Sequence, residues 1–269
     1  KECFEYQKFF SWIQNKKRRN IILMFNYQII IEYLGTNYVG WQMQKNGVSI
    51  QSIVHRALNK TLKSKIKING SGRTDAGVHA LAQSANFFFI NKIEDKFKFL
   101  NTINYFLKKN SISVLNLKKR NKNFHARHSA KKRLYEYIIC NRTGNLTIDK
   151  NRSWLVKKKL DLKKMKKAIN YFYGTHNFSA FRAASCSAKS PIRTISKVNI
   201  KKGGDKIIMS FESKSFLQKQ VRSMVGCLKY VGENKWKPEK IKHIIVSKKR
   251  KLCAPPAPAD GLFLSNVIY

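Results

Sequence analysis

Apolar and polar residues along this chain follow two different periods, and the two periods succeed one another in a regular order. In the stretch NYQIIIEY, residues 26–33, β-branched and apolar residues run together, which is typical of a buried strand. Residues 49–62 instead space their apolar side chains three and four positions apart, as on one face of a helix, and Ser49 is placed to cap that helix. The pattern predicts a protein built from both strands and helices.

The rest of the first half continues this alternation. The further elements that we predict there are strands at 65–69 and 82–90, a helix at 94–108 and a strand at 112–117. In the second helix we expect Phe97, Leu100, Ile103 and Leu107 to face the core. The resulting order, β-α-β-β-α-β, is that of a ferredoxin-like unit.

The second half predicts the same order again, although no residue-by-residue repeat is visible. Its predicted elements are a strand at 134–141, a helix at 161–173, a hairpin of 194–201 and 206–212, helices at 216–231 and 238–247 and a strand at 262–268. We therefore expect an α+β protein. Its two ferredoxin-like halves should form one continuous, mostly antiparallel sheet with helices on one face, leaving the other face free to form a cleft.

The predicted division of the chain places the first ferredoxin-like domain at 24–125 and the second at 126–269. Residues 1–23 are basic and aromatic and precede the first strand. We predict that they are a disordered N-terminal extension.

The charge of the chain points to a polyanionic partner. The sequence contains 55 Lys+Arg against 14 Asp+Glu, which gives a formal net charge of +41, and such a balance is typical of nucleic-acid-binding proteins. Many of the lysines are expected to form a solvated coat, so the positions of the scarcer arginines are more informative.

Neither a membrane span nor a metal site is predicted. No apolar run reaches the roughly 18 residues that a membrane span requires. The five cysteines are widely spaced and odd in number, which favours reduced thiols in a cytoplasmic protein. His125 and His128, in the segment HARH, have no partner ligands nearby, and we predict that this segment is a strand.

One acidic residue occurs in an unusual setting. The stretch GSGRTDAGVHA, residues 70–80, places Asp75 two positions after Arg73 and among three glycines. Glycines let a ligand or another backbone come close, and Arg73 is placed to lower the pKa of the Asp75 carboxyl. From turn chemistry alone, an ordinary surface turn in which Asp75 caps its own backbone is an equal alternative.

The segment GRTDAGVHA closely resembles the active-site signature of the tRNA pseudouridine synthase A family. Further resemblance follows in matching order and covers the chain from about residue 31 onward. The segments that carry it are YLGTNYVGWQMQ (33–44), FHARHSAKKRLYEYIICN (124–141), FSAFRAASCSAKSPIRTI (178–195), FLQKQVRSMVGCLKYVG (216–232) and APPAPADGLFLSNVIY (254–269). Leu34 departs from the family pattern, in which an aspartate is usual.

The resemblance implies roles for particular residues. Asp75 is the counterpart of the family's catalytic aspartate, Tyr135 of its active-site tyrosine and Arg222 of the arginine that pairs with the carboxylate. Leu262 occupies the family's apolar active-site position. The alternatives are that Tyr135 is a half-buried strand residue and Arg222 a surface charge of a helix, although Arg222 neighbours Val221 on the apolar side, which favours a specific partner. From spacing alone Leu262 is an ordinary core leucine. We interpret His79 as a structural residue.

The resemblance also implies a reaction, a substrate and an assembly. Members of the family convert uridine to pseudouridine at tRNA positions 38, 39 and 40 and work as homodimers. The isomerisation gains no group or electron, so neither a cofactor nor a metal is expected. It requires an ionised acid at the junction of sugar and base. Asp75 would attack the ribose, attack the base or remove a ribose proton, and the residues do not choose among these.

Basic residues are the candidates for RNA contacts. Arg73 would hold the flipped base or the space it vacates, because a uridine inside a stem must be extruded to react. The candidates for phosphate contacts are Arg127, Lys131, Arg133 and Arg193, with Arg56, Lys132 and Lys189. The alternative from another class is a non-catalytic protein that binds structured RNA through a duplicated RRM-like sheet, although no RNP1-type aromatic string is present. A nuclease is disfavoured because no cluster of carboxylates suited to metal ions appears.

Overall fold

The computed structural model describes residues 24–269. The predicted extension, residues 1–23, lies outside the described residues. The strands are β1 (Phe25–Tyr33), β2 (Ile68–Gly70), β3 (His79–Phe89), β4 (Ile112–Arg120), β5 (Lys132–Cys140), β6 (Trp154–Leu155), β7 (Gly174–Asn177), β8 (Ile192–Gly203), β9 (Lys206–Ser213) and β10 (Leu262–Ile268). The α-helices are α1 (Ile50–Leu62), α2 (Lys96–Leu107), α3 (Leu162–Ile169), α4 (Gln220–Gly232) and α5 (Lys240–Ser247).

All ten strands of the described residues belong to one sheet. Its order is β4-β1-β3-β10-β5-β9-β8-β7, with β2 paired to β3 and β6 paired to β5. The first half therefore has the strand order β4-β1-β3-β2, and the second repeats it as β10-β5-β9-β8. Apart from β3–β10 and β5–β6, the pairs are antiparallel. The predicted fold class, α+β with two halves sharing a mostly antiparallel sheet, is confirmed.

The two halves meet where β10 lies beside β3. This pair is parallel, with Phe263 opposite His79 and Leu264 opposite Ala80. On its other side β10 pairs with β5. The last strand in sequence thus lies at the middle of the sheet, next to the start of β3 and the loop that precedes it.

Each half packs its helices against the sheet through aromatic side chains. In the first half the ring of Phe87 on β3 lies 6.3 Å from that of Phe99 on α2. In the second half Phe211 on β9 lies 6.5 Å from Phe172, just after α3. These four rings are buried, and each removes a large apolar area from water. No helix within residues 24–269 has both the length and the apolar character to cross a membrane.

One core position was predicted wrongly. Phe97 is 76% exposed, whereas Phe99 is buried. Asp95 caps α2 by accepting a hydrogen bond from the backbone N–H of Lys98. At about 100° per residue, Phe97 lies roughly 120° around the helix from Ile103, while Phe99 lies only about 40° away. The buried face is therefore formed by Phe99, Ile103 and Leu107.

Two predicted elements differ in the structure. The HARH segment is a turn and not a strand: the backbone N–H of Ser129 donates to the oxygen of His125 at 2.9 Å. It belongs to the connection 121–131 between β4 and β5, where the sequence predicts the boundary between the halves. The helix predicted from Phe216 begins at Gln220, because Lys219 adopts a left-handed φ of 60° that a helix cannot contain.

Candidate active site

The loop that joins β2 to β3, residues 71–78, carries Asp75 and is called the aspartate loop below. Gly77 has a φ of +77°, a left-handed conformation that favours glycine. Just before the loop, a Cβ on Gly70 would lie 2.4 Å from Nε1 of Trp41. These two glycines let the loop turn sharply against an aromatic ring of its own half.

Side chains of β1 and β3 hold the aspartate loop from below. The amide of Gln83 donates to the carbonyl oxygen of Gly72 at 3.0 Å and accepts from the hydroxyl of Ser71 at 2.6 Å. The hydroxyl of Tyr33 lies 2.8 Å from that of Thr74. Because Tyr33, Ser71, Thr74 and Gln83 are buried, these bonds are shielded from water and restrict where the carboxylate of the loop can lie.

The aspartate loop lies on the face of the sheet that carries the helices. Gln83 is opposite Ile31, whose face of β1 packs into the core. On the other half, Tyr135 is opposite Phe211, and the ring of Phe211 contacts Phe172 in the helical layer. Side chains opposite one another in a sheet share a face. The expectation that the cleft lies on the helix-free face is therefore wrong: the loop and Tyr135 are at mid-sheet, on the helical side.

Asp75 is partly buried and lies at the N-terminal end of α4. Burial raises the pKa of its carboxyl, and this effect outweighs three that lower it: the charge of Arg222, the charge of Lys219 and the backbone N–H of Lys219. The positive end of the helix adds to the same stabilisation of the anion. Arg73, expected to fill this role, has an exposed side chain.

Arg222 is held by contacts with the backbone of the segment that precedes β10. Its Nε donates to the carbonyl oxygen of Ala257 at 2.7 Å, and the N–H of Ala257 donates back to the carbonyl of Arg222 at 2.9 Å. In the part of the chain that the structure describes, Asp75 is in no direct ion pair. Arg222 therefore acts on the carboxylate through space, from a fixed position.

Tyr135 lies on β5, next to β10 in the second half, and is 8% exposed. Its ring meets that of Phe216 edge-on, with centroids 5.2 Å apart. Burial raises the pKa of its hydroxyl, and the neighbouring Tyr33 and Asp75 raise it further. The hydroxyl is therefore neutral at physiological pH, and it lies close enough to Asp75 for the two groups to influence each other.

Leu262 and Tyr137 lie next to Tyr135 in the candidate active site. Leu262 is buried at the start of β10, directly opposite Tyr137 on β5. The hydroxyl of Tyr137 donates to the carbonyl oxygen of Pro258 at 2.8 Å. Tyr137 thus fastens the segment before β10 and contributes stability, whereas Leu262 supplies an apolar surface beside the tyrosines.

His79 also joins the two halves. Its Nδ1 accepts a hydrogen bond from the N–H of Gly35 at 2.9 Å, and its Nε2 lies 3.1 Å from the carbonyl oxygen of Asp260. Because Nδ1 accepts, we assign the proton to Nε2, which donates to Asp260. Burial lowers the pKa of the imidazole. This neutral histidine, held by two hydrogen bonds, has a structural role.

The candidates for phosphate contacts occupy different surroundings. Arg73, Arg127 and Lys131 are exposed. Arg193 is half-buried, and its Nη1 donates to the carbonyls of Ser190 and Ile192. The remaining exposed candidates are Arg56, Lys132 and Lys189. Arg133 is buried, and its guanidinium donates to backbone carbonyls inside the protein.

Sequence reasoning missed two contributors to the site. Lys219 supplies a charge and an N–H to Asp75 although it lies 144 positions later in the chain. Tyr33 lies beside Tyr135 and below the aspartate loop. The left-handed turn at Lys219 has no signal in the sequence. Tyr33 ends a strand of apolar residues, so its pattern indicated a core position and gave no sign of a role in the site. Residues 24–269 contain no group of three or more His, Cys, Asp or Glu side chains arranged to hold a metal ion.

Comparison with known proteins identifies the family of this chain. The sequence matches the family described as tRNA pseudouridine synthase over residues 29–129 and 168–269. It is 56% identical over 246 residues to the tRNA pseudouridine synthase A of Pelagibacter ubique (strain HTCC1062), covering 91% of this chain and 100% of the relative. It is 46% identical over 244 residues to that of Ehrlichia canis (strain Jake), covering 90% and 99%.

Among solved structures, a Cbf5-Nop10-Gar1 complex is similar with a TM-score of 0.31 and 12% identity, over 89% of this chain and 57% of that chain. This score is too low to support an argument. The family match covers both halves and includes Asp75, Tyr33, Arg222 and Leu262, while the two relatives are similar over nearly their whole length. The chain belongs to the tRNA pseudouridine synthase family.

Proposed function

We propose that this protein is an isomerase that converts uridine to pseudouridine at positions 38, 39 and 40 of the tRNA anticodon stem-loop. The observation that carries the proposal is the position of Asp75. The loop that marks the family holds this carboxylate at the N-terminal end of α4, beside Tyr135 and within the field of Arg222. A partly buried anion with nearby cations and an aromatic ring suits a reaction at the junction of ribose and base.

The reaction breaks the bond between ribose C1′ and N1 of uracil and forms a bond between C1′ and C5. The proton on C5 is lost and N1 acquires one, so product and substrate have the same composition. The carboxylate of Asp75 lies where the first bond breaks. Tyr135 stacks on the uracil while it is detached and turned, and Leu262 limits the turning base on its apolar side. All of these steps use side chains of the protein.

The target uridine has to leave the RNA stem before Asp75 can reach it. Extruding a base costs a few kcal/mol, which phosphate and stacking contacts must offset. Arg73 is exposed in the aspartate loop, two residues from the carboxylate. It is therefore placed to occupy the space that the extruded base leaves.

Release of tritium from tRNA labelled at C5 of uridine tests the proposed activity. We expect one tritium to be released for each of the uridines at positions 38, 39 and 40. A matched tRNA with cytidine at those positions, labelled at its other uridines, should release none. Tight binding without any release would instead support the RRM-like RNA-binding alternative and overturn the enzymatic proposal.

The exposed cations Arg127 and Lys131 are proposed to contact tRNA phosphates. Each phosphate contact contributes about one to the slope of log affinity against log salt. Replacing both residues by glutamine should therefore reduce that slope by about two and leave kcat unchanged. The matched control replaces Lys242 and Lys249, two exposed lysines of the α5 region, and should keep the full slope. An unchanged slope in the Arg127 and Lys131 variant would exclude them as phosphate contacts.

We further propose that the protein is a cytoplasmic homodimer in which one tRNA spans both subunits. The family resemblance supports the homodimer, and the net charge of +41 supports the polyanionic partner. Light scattering of the purified protein should give twice the mass of one chain, and a single-chain mass at working concentration would contradict it.

A further inference from the structure

Among the residues that the structure describes, Arg133 is a buried cation without an anionic partner. It is 8% exposed on β5, and it takes part in none of the ion pairs formed by residues 24–269. Burial lowers the pKa of its guanidinium. Taking such a group out of water costs free energy unless its donors are satisfied, so the contacts that satisfy it indicate why it is there.

The donors of Arg133 go to the backbone of three separate segments. Nε donates to the carbonyl oxygen of Ser71 at 3.2 Å, and Nη2 donates to the same oxygen. Nη2 also donates to the carbonyl oxygen of Arg127 at 3.0 Å, and Nη1 donates to that of Lys214. One planar group thus joins the aspartate loop, the connection between the halves and the segment after β9.

Two of these three segments lead to groups of the candidate active site. Ser71 opens the aspartate loop, which carries Asp75, and Lys214 precedes the turn that presents Lys219 to the carboxylate. Arg133 itself lies two residues before Tyr135 and therefore on the same face of β5. Its guanidinium is therefore bonded to segments that lead to the carboxylate and to the N-terminal end of α4, and it lies beside the tyrosine.

The fit between the loop and the guanidinium is close. A Cβ on Gly72 would lie 3.4 Å from Nε of Arg133, at van der Waals distance, so the loop and the guanidinium are direct neighbours. A lysine ammonium is a point charge without this fork of donors, and it cannot bind divergent carbonyls in the same plane.

We propose that Arg133 is a positioning residue for the isomerisation, acting through the aspartate loop and not by contact with RNA phosphate. The inference rests on the proposed function. A misplacement of about 1 Å in a reacting group is enough to cost about 100-fold in rate. Loss of the fork should therefore lower kcat while leaving the affinity for tRNA almost unchanged.

The test compares Arg133→Lys and Arg133→Ala with the wild type by C5 tritium release. For both variants we expect kcat to fall by about 100-fold, with KM for tRNA and the salt slope of binding unchanged. Adding guanidinium ion at millimolar concentration should restore the Ala variant at least tenfold and leave the Lys variant unrestored, since its ammonium blocks the site. The control is Arg142→Ala, which removes a surface guanidinium that pairs with Asp205. Its kcat should equal that of the wild type, both with and without added guanidinium ion.

Thermal unfolding of each variant separates positioning from a loss of folding. If the Ala variant does not fold, the Lys variant keeps the charge and most of the bulk and decides the question. Full activity of the folded Lys variant would overturn the proposal. So would a salt slope lower by about one with unchanged kcat, because that is the signature of a phosphate contact. Absence of tritium release from the wild type would instead refute the proposed function itself.

Discussion

Replacing Asp75 by asparagine is expected to lower turnover by about 1,000-fold or more and to leave tRNA binding within about twofold. Asparagine has nearly the same shape, so the aspartate loop keeps its contacts, but the amide can neither act as an anion nor take up a proton. Single-turnover tritium release measures the first effect, and titration with labelled tRNA measures the second. Release at near the wild-type rate would remove Asp75 from the chemistry.

The same substitution should not destabilise the protein. Because burial raises the pKa of the Asp75 carboxyl, the folded state binds its proton more tightly than the unfolded state does. Stability from this group therefore falls as pH rises through the raised pKa. The neutral asparagine lacks this cost, so its midpoint of thermal unfolding at pH 7 should equal or exceed that of the wild type. Asp95→Asn, which keeps the cap of α2, is the control and should retain full activity.

Replacing Arg222 by glutamine is expected to lower activity at pH 7 by about tenfold or more and to move the acid limb of the pH–rate profile to higher pH. Arg222 is the largest of the effects that lower the pKa of Asp75. Without its charge the carboxyl holds its proton to higher pH, and the fraction of ionised enzyme falls. The profile of kcat/KM against pH measures the displacement.

Arg222→Lys provides the matched comparison. It keeps a positive charge but loses the hydrogen bond from Nε to the oxygen of Ala257. Its acid limb should stay near that of the wild type, while its rate falls because the charge is less well fixed. An acid limb that does not move in the glutamine variant would show that Arg222 does not keep Asp75 ionised.

Local pattern was sufficient to predict most of the elements. The apolar spacing of 49–62 predicted α1, and Ser49 caps it through the N–H of Ser52. The pattern failed where the conformation or burial of a residue depended on contacts with other elements of the fold. Phe97 is as apolar as Phe99, and only the orientation of α2 on the sheet decides which ring is buried. Likewise, HARH turns because Asn86 on β3 accepts a hydrogen bond from the N–H of Ala126.

For the candidate site, too, local sequence indicated some residues and missed others. Asp75 was selected as a candidate because its motif resembles the family's signature, whereas from turn chemistry alone an ordinary surface turn was an equal alternative. The contacts of Arg133 and Lys219 were not predicted, because both join segments that are remote in sequence. Their partners are mainly backbone atoms, which every residue possesses, and so no residue type marks the partner.

The location of β10 has a consequence for how the molecule folds. The sheet becomes continuous only when Phe263 meets His79, a separation of 184 positions, and pairing over such a distance is slow because the entropy of the intervening chain must first be lost. Each half can collapse around its own aromatic rings before that happens. We therefore expect enzymatic activity to be the last property to appear during folding, after most of the secondary structure has formed.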